Sequence, residues 1–258
     1  MDPVSEIKRQ VGRRPSTDRY VSAWLVLAPA ILSSLATAVM IAGGVLSTFT
    51  YGAGSGPEYS YSSLPAPPFL AFTIPFAVAI ALYLVAGAVG FYACFLLVER
   101  RNRHLERTYR LFRAFSELAK SKGVRFPEGG LEGWYWPGPA WRDGFLYAAA
   151  AFGLPFFGFY LAHVLNRDFH RHELRERELL RAASEALDAM GAGRLGVRLD
   201  PKGAVPERNT WLYAVLTVVT LGLFSLYWAY TLARDPNRHF DEHARWEEAL
   251  LAKLSKIS

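Results

Sequence analysis

Charged side chains are almost absent from one long part of this sequence. Between Val21 and Val98 only Glu58 is charged. The water-facing surface of a soluble domain needs charge throughout, so an ordinary soluble fold is excluded for this stretch. Lys and Arg are instead grouped in blocks between apolar segments, which is typical of a chain whose apolar segments lie in lipid. The composition predicts an all-α integral membrane protein.

Other residue types and motifs are also missing. Cys94 is the only cysteine, which excludes a disulfide or a cysteine-based metal site within one chain. No Asp or Glu lies inside the four apolar runs, which are Val21–Thr48, Phe69–Val98, Gly144–Leu165 and Trp211–Leu232, and this argues against a proton-driven transporter. The sequence has no phosphate-binding glycine loop, nucleophile elbow or apolar carboxylate pair, so we predict no enzyme and no cofactor. The net charge of +6 comes from basic blocks beside apolar segments, and we predict no nucleic-acid partner.

The first two apolar segments, Val21–Thr48 and Phe69–Val98, each exceed the length of about 20 residues that a spanning helix needs. We therefore predict a transmembrane helix pair over residues 21–98. The tail 1–20 carries five Lys or Arg, whereas the loop 49–68 carries none. The positive-inside rule then places the tail in the cytoplasm and the loop outside. The first segment is too long for a cleavable signal peptide, so we expect it to remain as an anchor in the cell membrane.

The third and fourth membrane segments, 141–166 and 211–233, are just long enough to cross a bilayer. Each has a possible bend near its midpoint, at Gly153 and Pro155 or at Thr220 and Gly222. They are predicted either to cross once or to enter and leave on the cytoplasmic side as re-entrant hairpins. The repeat described next favours hairpins, while single crossings remain open.

Internal similarity indicates that one unit is used repeatedly, with a period of about 70 residues. Residues 157–172 and 224–239 match at eight of sixteen positions without a gap, and the end of the second segment shares the Arg-His pair. If the three Arg-His ends are equivalent, all three face the same side. The predicted repeat and interface residues are Tyr92, Arg103, His104, Tyr160, Arg167, Asp168, Arg171, His172, Tyr227, Trp228, Arg234, Asp235, Arg238 and His239.

An amphipathic helix is predicted after each Arg-His pair, within 99–140, 167–210 and 234–258. Apolar residues recur there at spacings of three, four and seven, as in Leu180, Ala183 and Leu187. Two interpretations are open for these cytoplasmic helices. They pack on one another, or they lie at the lipid headgroups.

The histidine and Arg-Asp patterns each have a simple interpretation. His239 to His243 match the H-x-x-E-H zinc pattern, but few residues follow and no soluble catalytic domain surrounds it, so we predict no metal site. The pairs Arg167-Asp168 and Arg234-Asp235 are predicted to anchor helices at the membrane boundary, with a shared polar site as the alternative.

The fourth segment resembles a family of small prokaryotic membrane proteins known only as a domain of unknown function. The residues that carry the resemblance are Thr220, Gly222, Tyr227, Trp228, Arg234 and Asp235. The third segment looks like a degenerate copy of this motif. The resemblance implies a membrane protein and supplies no catalytic residues.

These features predict a non-enzymatic membrane scaffold, a membrane-shaping protein or a subunit of a membrane complex. Its expected partners are membrane lipids and further copies of itself or other membrane proteins. The alternative is a small transporter or channel component, which would need a water-filled cavity lined by Thr217 and Thr220.

Overall fold

The computed structural model describes residues 2–52, 68–127, 142–154, 156–197 and 205–257, and all regular structure in these ranges is helical. The helices are α1 (Pro3–Gly12), α2 (Arg14–Thr17), α3 (Ala23–Gly52), α4 (Pro68–Ser121), α5 (Gly144–Gly153), α6 (Phe157–Ala189), α7 (Thr210–Val219) and α8 (Leu223–Leu254). The chain divides into two compact units, Trp24–Ala93 and Met1–Ala23 with Cys94–Ser258.

The first unit contains the apolar helices of the predicted transmembrane pair. Ala23–Phe49 and Phe72–Ser121 are long and apolar enough to cross a membrane, and the second of them continues past Ala93 into the other unit. Most apolar side chains of this unit are exposed, as lipid contact requires. The two helices approach closely at Gly43, where an added Cβ would collide with the Pro75 ring. Most of the predicted external loop 49–68 lies outside the described residues.

The second unit contains a three-helix bundle, formed by residues 104–121 of α4, 172–189 of α6 and 239–254 of α8. Its core includes Phe112, Leu180, Leu187, Trp246 and Leu250. The predicted amphipathic faces therefore pack against one another, which is the first of the two interpretations given above. The bundle joins parts of the sequence that lie far apart, because each helix contributes one apolar face.

The N-terminal residues, predicted as a tail, form two helices. Asp2 caps α1, since its carboxylate accepts a hydrogen bond from the Ser5 amide at 2.9 Å. Ile7 and Val11 lie four residues apart on one face and are buried in the bundle core. A helix of ten residues is marginal in isolation, so this packing is what stabilises it.

The third and fourth segments fold as helical hairpins. The chain reverses between α5 and α6, and again between α7 and α8. The Tyr147 ring packs on Phe157 with centroids 5.6 Å apart, and Tyr213 packs on Phe224 at 4.9 Å. Neither segment is one straight helix. Beyond the predicted boundaries at 166 and 233, α6 and α8 continue unbroken into the bundle.

The first hairpin bends between Gly153 and Phe157, and the second bends between Val219 and Leu223. Gly153 ends α5, and Thr220 and Gly222 cap α7 and α8, whereas Pro155 lies outside the described residues. Gly222 has φ +93°, in the left-handed region that glycine tolerates without a steric penalty. Phe156 and Leu221 also have positive φ, at 62° and 50°.

Candidate functional site

Each hairpin is closed at its base by an arginine that precedes its first helix. In the first hairpin, Nη2 of Arg142 lies 3.1 Å from Oδ2 of Asp168, and Nη1 donates to the Tyr147 hydroxyl at 2.7 Å. Arg101 of α4 adds a third contact, with Nη2 2.7 Å from Oδ2 of Asp168. The amide of Leu146 donates to the carboxylate of Asp143, which caps α5.

The second hairpin repeats this arrangement. Nε of Arg208 donates to Oδ2 of Asp235 at 2.9 Å, and Nη1 donates to the Tyr213 hydroxyl at 2.7 Å. Asn209 caps α7 as Asp143 caps α5. Burial alone would lower the pKa of Arg208, but Asp235 raises it.

The aspartates of the predicted Arg-Asp pairs therefore make their closest ion pairs with residues other than their neighbours in sequence. Arg167 reaches Oδ1 of Asp168 only at 3.7 Å, and the Arg234 guanidinium lies over the Tyr230 ring at 5.8 Å. Sequence reasoning missed Arg142 and Arg208 as partners. The signal was present, because Arg-Asp-Gly-Phe-Leu-Tyr at 142–147 aligns with Arg-Asn-Thr-Trp-Leu-Tyr at 208–213.

Apart from the histidines, the remaining predicted repeat residues do not come together at one site. Five of them have exposed side chains: Tyr92, Tyr160, Arg171, Tyr227 and Arg238. Arg103 is half-exposed and pairs with Glu99 at 3.2 Å. Trp228 is buried and stacks on Phe159 with centroids 5.9 Å apart, so it packs between hairpins rather than facing outward.

The three predicted histidines meet in the interior, and a fourth joins them. His104, His172, His239 and His243 are all buried, and one ligand atom from each lies within 4.8 Å of the others. Nε2 of His104 is 3.0 Å from Nε2 of His172 and 3.3 Å from Nε2 of His239. The helical spacing of four residues brings His243 to the same place as His239. The name "histidine cluster" is used below for these four side chains.

A buried carboxylate lies against the histidine cluster. Oε1 of Glu176 is 2.6 Å from Nε2 of His243, and Oε2 is 3.3 Å from Nε2 of His239 and 3.5 Å from Nε2 of His172. These contacts are close, yet Oε2 of Glu176 and Nε2 of His243 make no hydrogen bond of normal geometry. Nδ1 of His239 and Oε2 of Glu247 also make no such hydrogen bond, so several buried polar atoms at the cluster are under-satisfied, which is uncommon in protein interiors.

The outer nitrogens of two cluster members face carboxylates. Nδ1 of His104 is 3.0 Å from Oδ1 of Asp18, and Nδ1 of His243 is 3.3 Å from Oε1 of Glu247. Arg107 bridges these carboxylates, with Nη2 donating to Oδ2 of Asp18 at 2.6 Å and Nη1 donating to Glu247. Only the tertiary fold brings Asp18, Arg107 and Glu247 together, because their sequence positions carry no shared motif.

The electrostatics of the histidine cluster follow from burial and these carboxylates. Burial, with the neighbouring imidazoles, lowers the pKa of His172 and His239 well below the ordinary value, so both rings are neutral at neutral pH. Burial also opposes charge on His243, but Glu176 outweighs it and raises that pKa to about 9. Burial would raise the pKa of Asp18, but the contacts with His104 and Arg107 outweigh it and lower that pKa well below its ordinary range. The carboxylates thus favour positive charge at this site.

The described chain is an all-helical protein with two helices long enough to span a membrane and a bundle that encloses a histidine cluster. A family model described as "Domain of unknown function (DUF4234)" matches residues 208–252. The match covers the second hairpin together with His239 and His243, and it agrees with the predicted resemblance to a family without an established function. No curated protein and no solved structure matches the chain.

Proposed function

We propose that the chain is a non-enzymatic membrane scaffold that crosses the membrane twice and inserts its two hairpins into the cytoplasmic leaflet. The observation that supports this most directly is the surface of the hairpin tips. Phe156 is 78% exposed and Leu221 is 95% exposed, and large apolar neighbours surround them. Apolar patches of this kind mark contact with lipid or with a partner.

The lengths of the hairpins favour insertion without crossing. Helices α5 and α7 have 10 residues each, and at about 1.5 Å per residue they extend about 15 Å. This is roughly half of the hydrocarbon thickness of about 30 Å. The buried ion pairs at the hairpin bases lie at the opposite end from the apolar tips. Such a wedge occupies one leaflet more than the other and would favour curved membrane.

A bend in hydrocarbon must satisfy its own backbone polar groups. The second tip does so largely within the hairpin. The Gly222 amide donates to the Thr217 carbonyl at 2.7 Å, and the Phe224 amide donates to the Thr220 hydroxyl at 2.9 Å. The Thr220 hydroxyl also donates to the Leu216 carbonyl at 2.7 Å.

The same hydrogen bonds weaken the transporter alternative. That alternative needs Thr217 and Thr220 to line a water-filled path, but the Thr217 hydroxyl donates to the Tyr213 carbonyl at 2.8 Å. Both hydroxyls are thus used within their own helix. The proposed partners are membrane lipids and further copies of this chain or other membrane proteins.

Single-cysteine labelling tests the proposed topology. In a Cys94→Ala background, we expect Lys8→Cys and Glu185→Cys, both at exposed positions, to react with an impermeant maleimide only after the cells are opened. Ser55→Cys, in the predicted external loop, should react in intact cells. Spin labels at Leu221→Cys and Phe156→Cys should be accessible to oxygen and protected from a water-soluble nickel chelate. Labelling of Glu185→Cys from outside intact cells would show that the hairpin segments cross, which contradicts the proposal.

Membrane tubes pulled from giant vesicles test the proposed shaping activity. We expect the wild-type protein to be enriched severalfold in the tubes relative to a lipid dye. Leu221→Asp and Phe156→Asp should reduce this enrichment towards unity, because a carboxylate near the bilayer centre costs about 2.5–3.5 kcal/mol. Leu174→Asp is the matched control, since Leu174 is half-exposed on α6 outside the hairpin. Equal enrichment of wild type and tip variants would refute membrane shaping by the tips.

A further inference from the structure

We propose that the histidine cluster binds one divalent transition-metal ion, with Zn²⁺ as the best match, through Nε2 of His104, His172, His239 and His243. The proposal is independent of the membrane function proposed above, because the cluster lies inside the bundle and not at the hairpin tips. Neutral imidazole nitrogens are ligands that Zn²⁺, Cu²⁺, Fe²⁺ and Ni²⁺ prefer.

The distances suit a tetrahedral site. Zn²⁺ binds imidazole nitrogen at about 2.0–2.1 Å, so two ligand nitrogens of a tetrahedron lie about 3.3–3.4 Å apart. The observed distances from Nε2 of His104 are 3.0 Å to Nε2 of His172 and 3.3 Å to Nε2 of His239. Small side-chain movements would complete the geometry, because the four ligand atoms already lie within 4.8 Å of one another.

The outer contacts orient the imidazoles as metal ligands require. Metal-binding histidines commonly donate their second ring nitrogen to a carboxylate, which directs the other nitrogen to the metal. Asp18 is the carboxylate beside Nδ1 of His104, and Glu247 is the carboxylate beside Nδ1 of His243. Nε2 of His104 is consequently left to face His172 and His239. Nε2 of His243 lies at the cluster beside Oε1 of Glu176 at 2.6 Å.

The buried charges also call for a cation. Asp18, Glu176 and Glu247 are buried carboxylates. The fully buried Arg107 pairs with Asp18 and Glu247, whereas Glu176 contacts the histidines instead; half-buried Arg14 reaches Glu247 only at 3.7 Å. With His243 neutral, as a metal ligand must be, the carboxylates outnumber the buried arginine, and a divalent ion would compensate the excess negative charge. It would also bind Nε2 of His243, which is among the buried atoms of this region that make no normal hydrogen bond.

A metal here would join the three helices of the bundle, because its ligands come from α4, α6 and α8. Four protein nitrogens close the coordination shell of Zn²⁺, which is the pattern of structural rather than catalytic sites. The expected role is therefore to fix the arrangement of the three helices. Binding would add to the stability of the folded chain, since the unfolded chain does not hold a preformed site.

Metal analysis of the tag-free, full-length protein in detergent tests this proposal. After chelator treatment and addition of Zn²⁺, we expect one tightly held Zn²⁺ per chain by mass spectrometry of the eluted metal. Co²⁺ in place of Zn²⁺ should give the visible absorption of a tetrahedral site. His172→Gln and His239→Gln should each weaken the affinity at least about tenfold. His170→Gln is the matched control, because His170 stands two residues away on the same helix and contacts the Val205 carbonyl at 2.8 Å instead.

A second measurement covers the case in which cluster variants fail to fold. In the wild-type protein alone, Zn²⁺ at saturating concentration should raise Tm by about 5 °C or more over the chelated protein. A wild-type chain that retains no metal and shows no Zn²⁺-dependent Tm would overturn the proposal and identify the cluster as a hydrogen-bonded histidine network. Equal loss of affinity in His170→Gln would likewise overturn it, because binding would then lie elsewhere.

Discussion

Replacing Arg107 with Met will lower the free energy of unfolding by about 3–5 kcal/mol. The side chain is fully buried and lies between the carboxylates of Asp18 and Glu247. Methionine keeps much of the aliphatic volume but removes the charge. Both carboxylates would then remain in a low-dielectric interior without their cation, which is the costly way to break a buried ion pair.

Thermal unfolding in detergent measures this effect, and we expect Tm to fall by roughly 6–20 °C. Arg110→Met is the matched control on the same helix. Its side chain is 46% exposed and pairs with Glu106, so the expected change is below about 1 kcal/mol. If the two variants lose similar stability, the buried ion-pair network does not support the fold.

The double variant Arg107→Met with Glu247→Gln tests how much of the stability loss in Arg107→Met comes from the Glu247 carboxylate that is left without its cation. Neutralising Glu247 removes one of the two carboxylates that Arg107→Met leaves unpaired. We therefore expect the double variant to be more stable than Arg107→Met alone, with a coupling of about 1–3 kcal/mol. Additive losses would contradict direct coupling between these two side chains.

Replacing Trp246 with Ala will destabilise the bundle by about 3–5 kcal/mol. The indole is 1% exposed and stacks on Phe112 with centroids 5.7 Å apart. The substitution leaves a cavity between α4 and α8 that the surrounding side chains fill only in part. It also removes the packing against the His243 ring, whose centroid lies 4.7 Å away.

Trp211→Ala is the control for this substitution. Trp211 is 82% exposed on α7. Its removal should change Tm in detergent by no more than about 2 °C, because no protein cavity is formed. A loss of stability in Trp211→Ala as large as in Trp246→Ala would mean that the bundle core is not the main source of stability.

The sequence predicted part of the hairpin structure but not all of it. Gly153, Thr220 and Gly222 were identified as bends from their backbone properties, and the chain reverses at or beside each of them. The length of each segment also allowed one straight transmembrane helix, because an apolar run of about 20 residues is long enough for a single crossing as well as for a hairpin. The contacts of α5 with the start of α6, and of α7 with the start of α8, distinguish a bent backbone from a straight one.

The histidine cluster shows where sequence reasoning stopped. His239 and His243 match a metal-binding pattern, and the pattern was set aside because few residues follow it. The further partners, His104 and His172, precede it on two other helices. They had been identified as repeat positions, but the repeat gave no reason to place them at one point in space. The prediction of no metal site remains untested, and the geometry now supports the opposite proposal.

The sequence by itself determined the helical class, the two spanning-length segments, the bends and the apolar faces of the bundle helices. These properties depend on the residue types within a few turns of chain, where hydropathy and backbone preference act locally. Only the tertiary structure decided that α1 packs on the bundle, that Arg142 and Arg208 close the hairpins, and that Arg107 joins Asp18 to Glu247. A helical period shows which face is apolar, but the partner of a buried charge is set by packing between segments far apart in the chain.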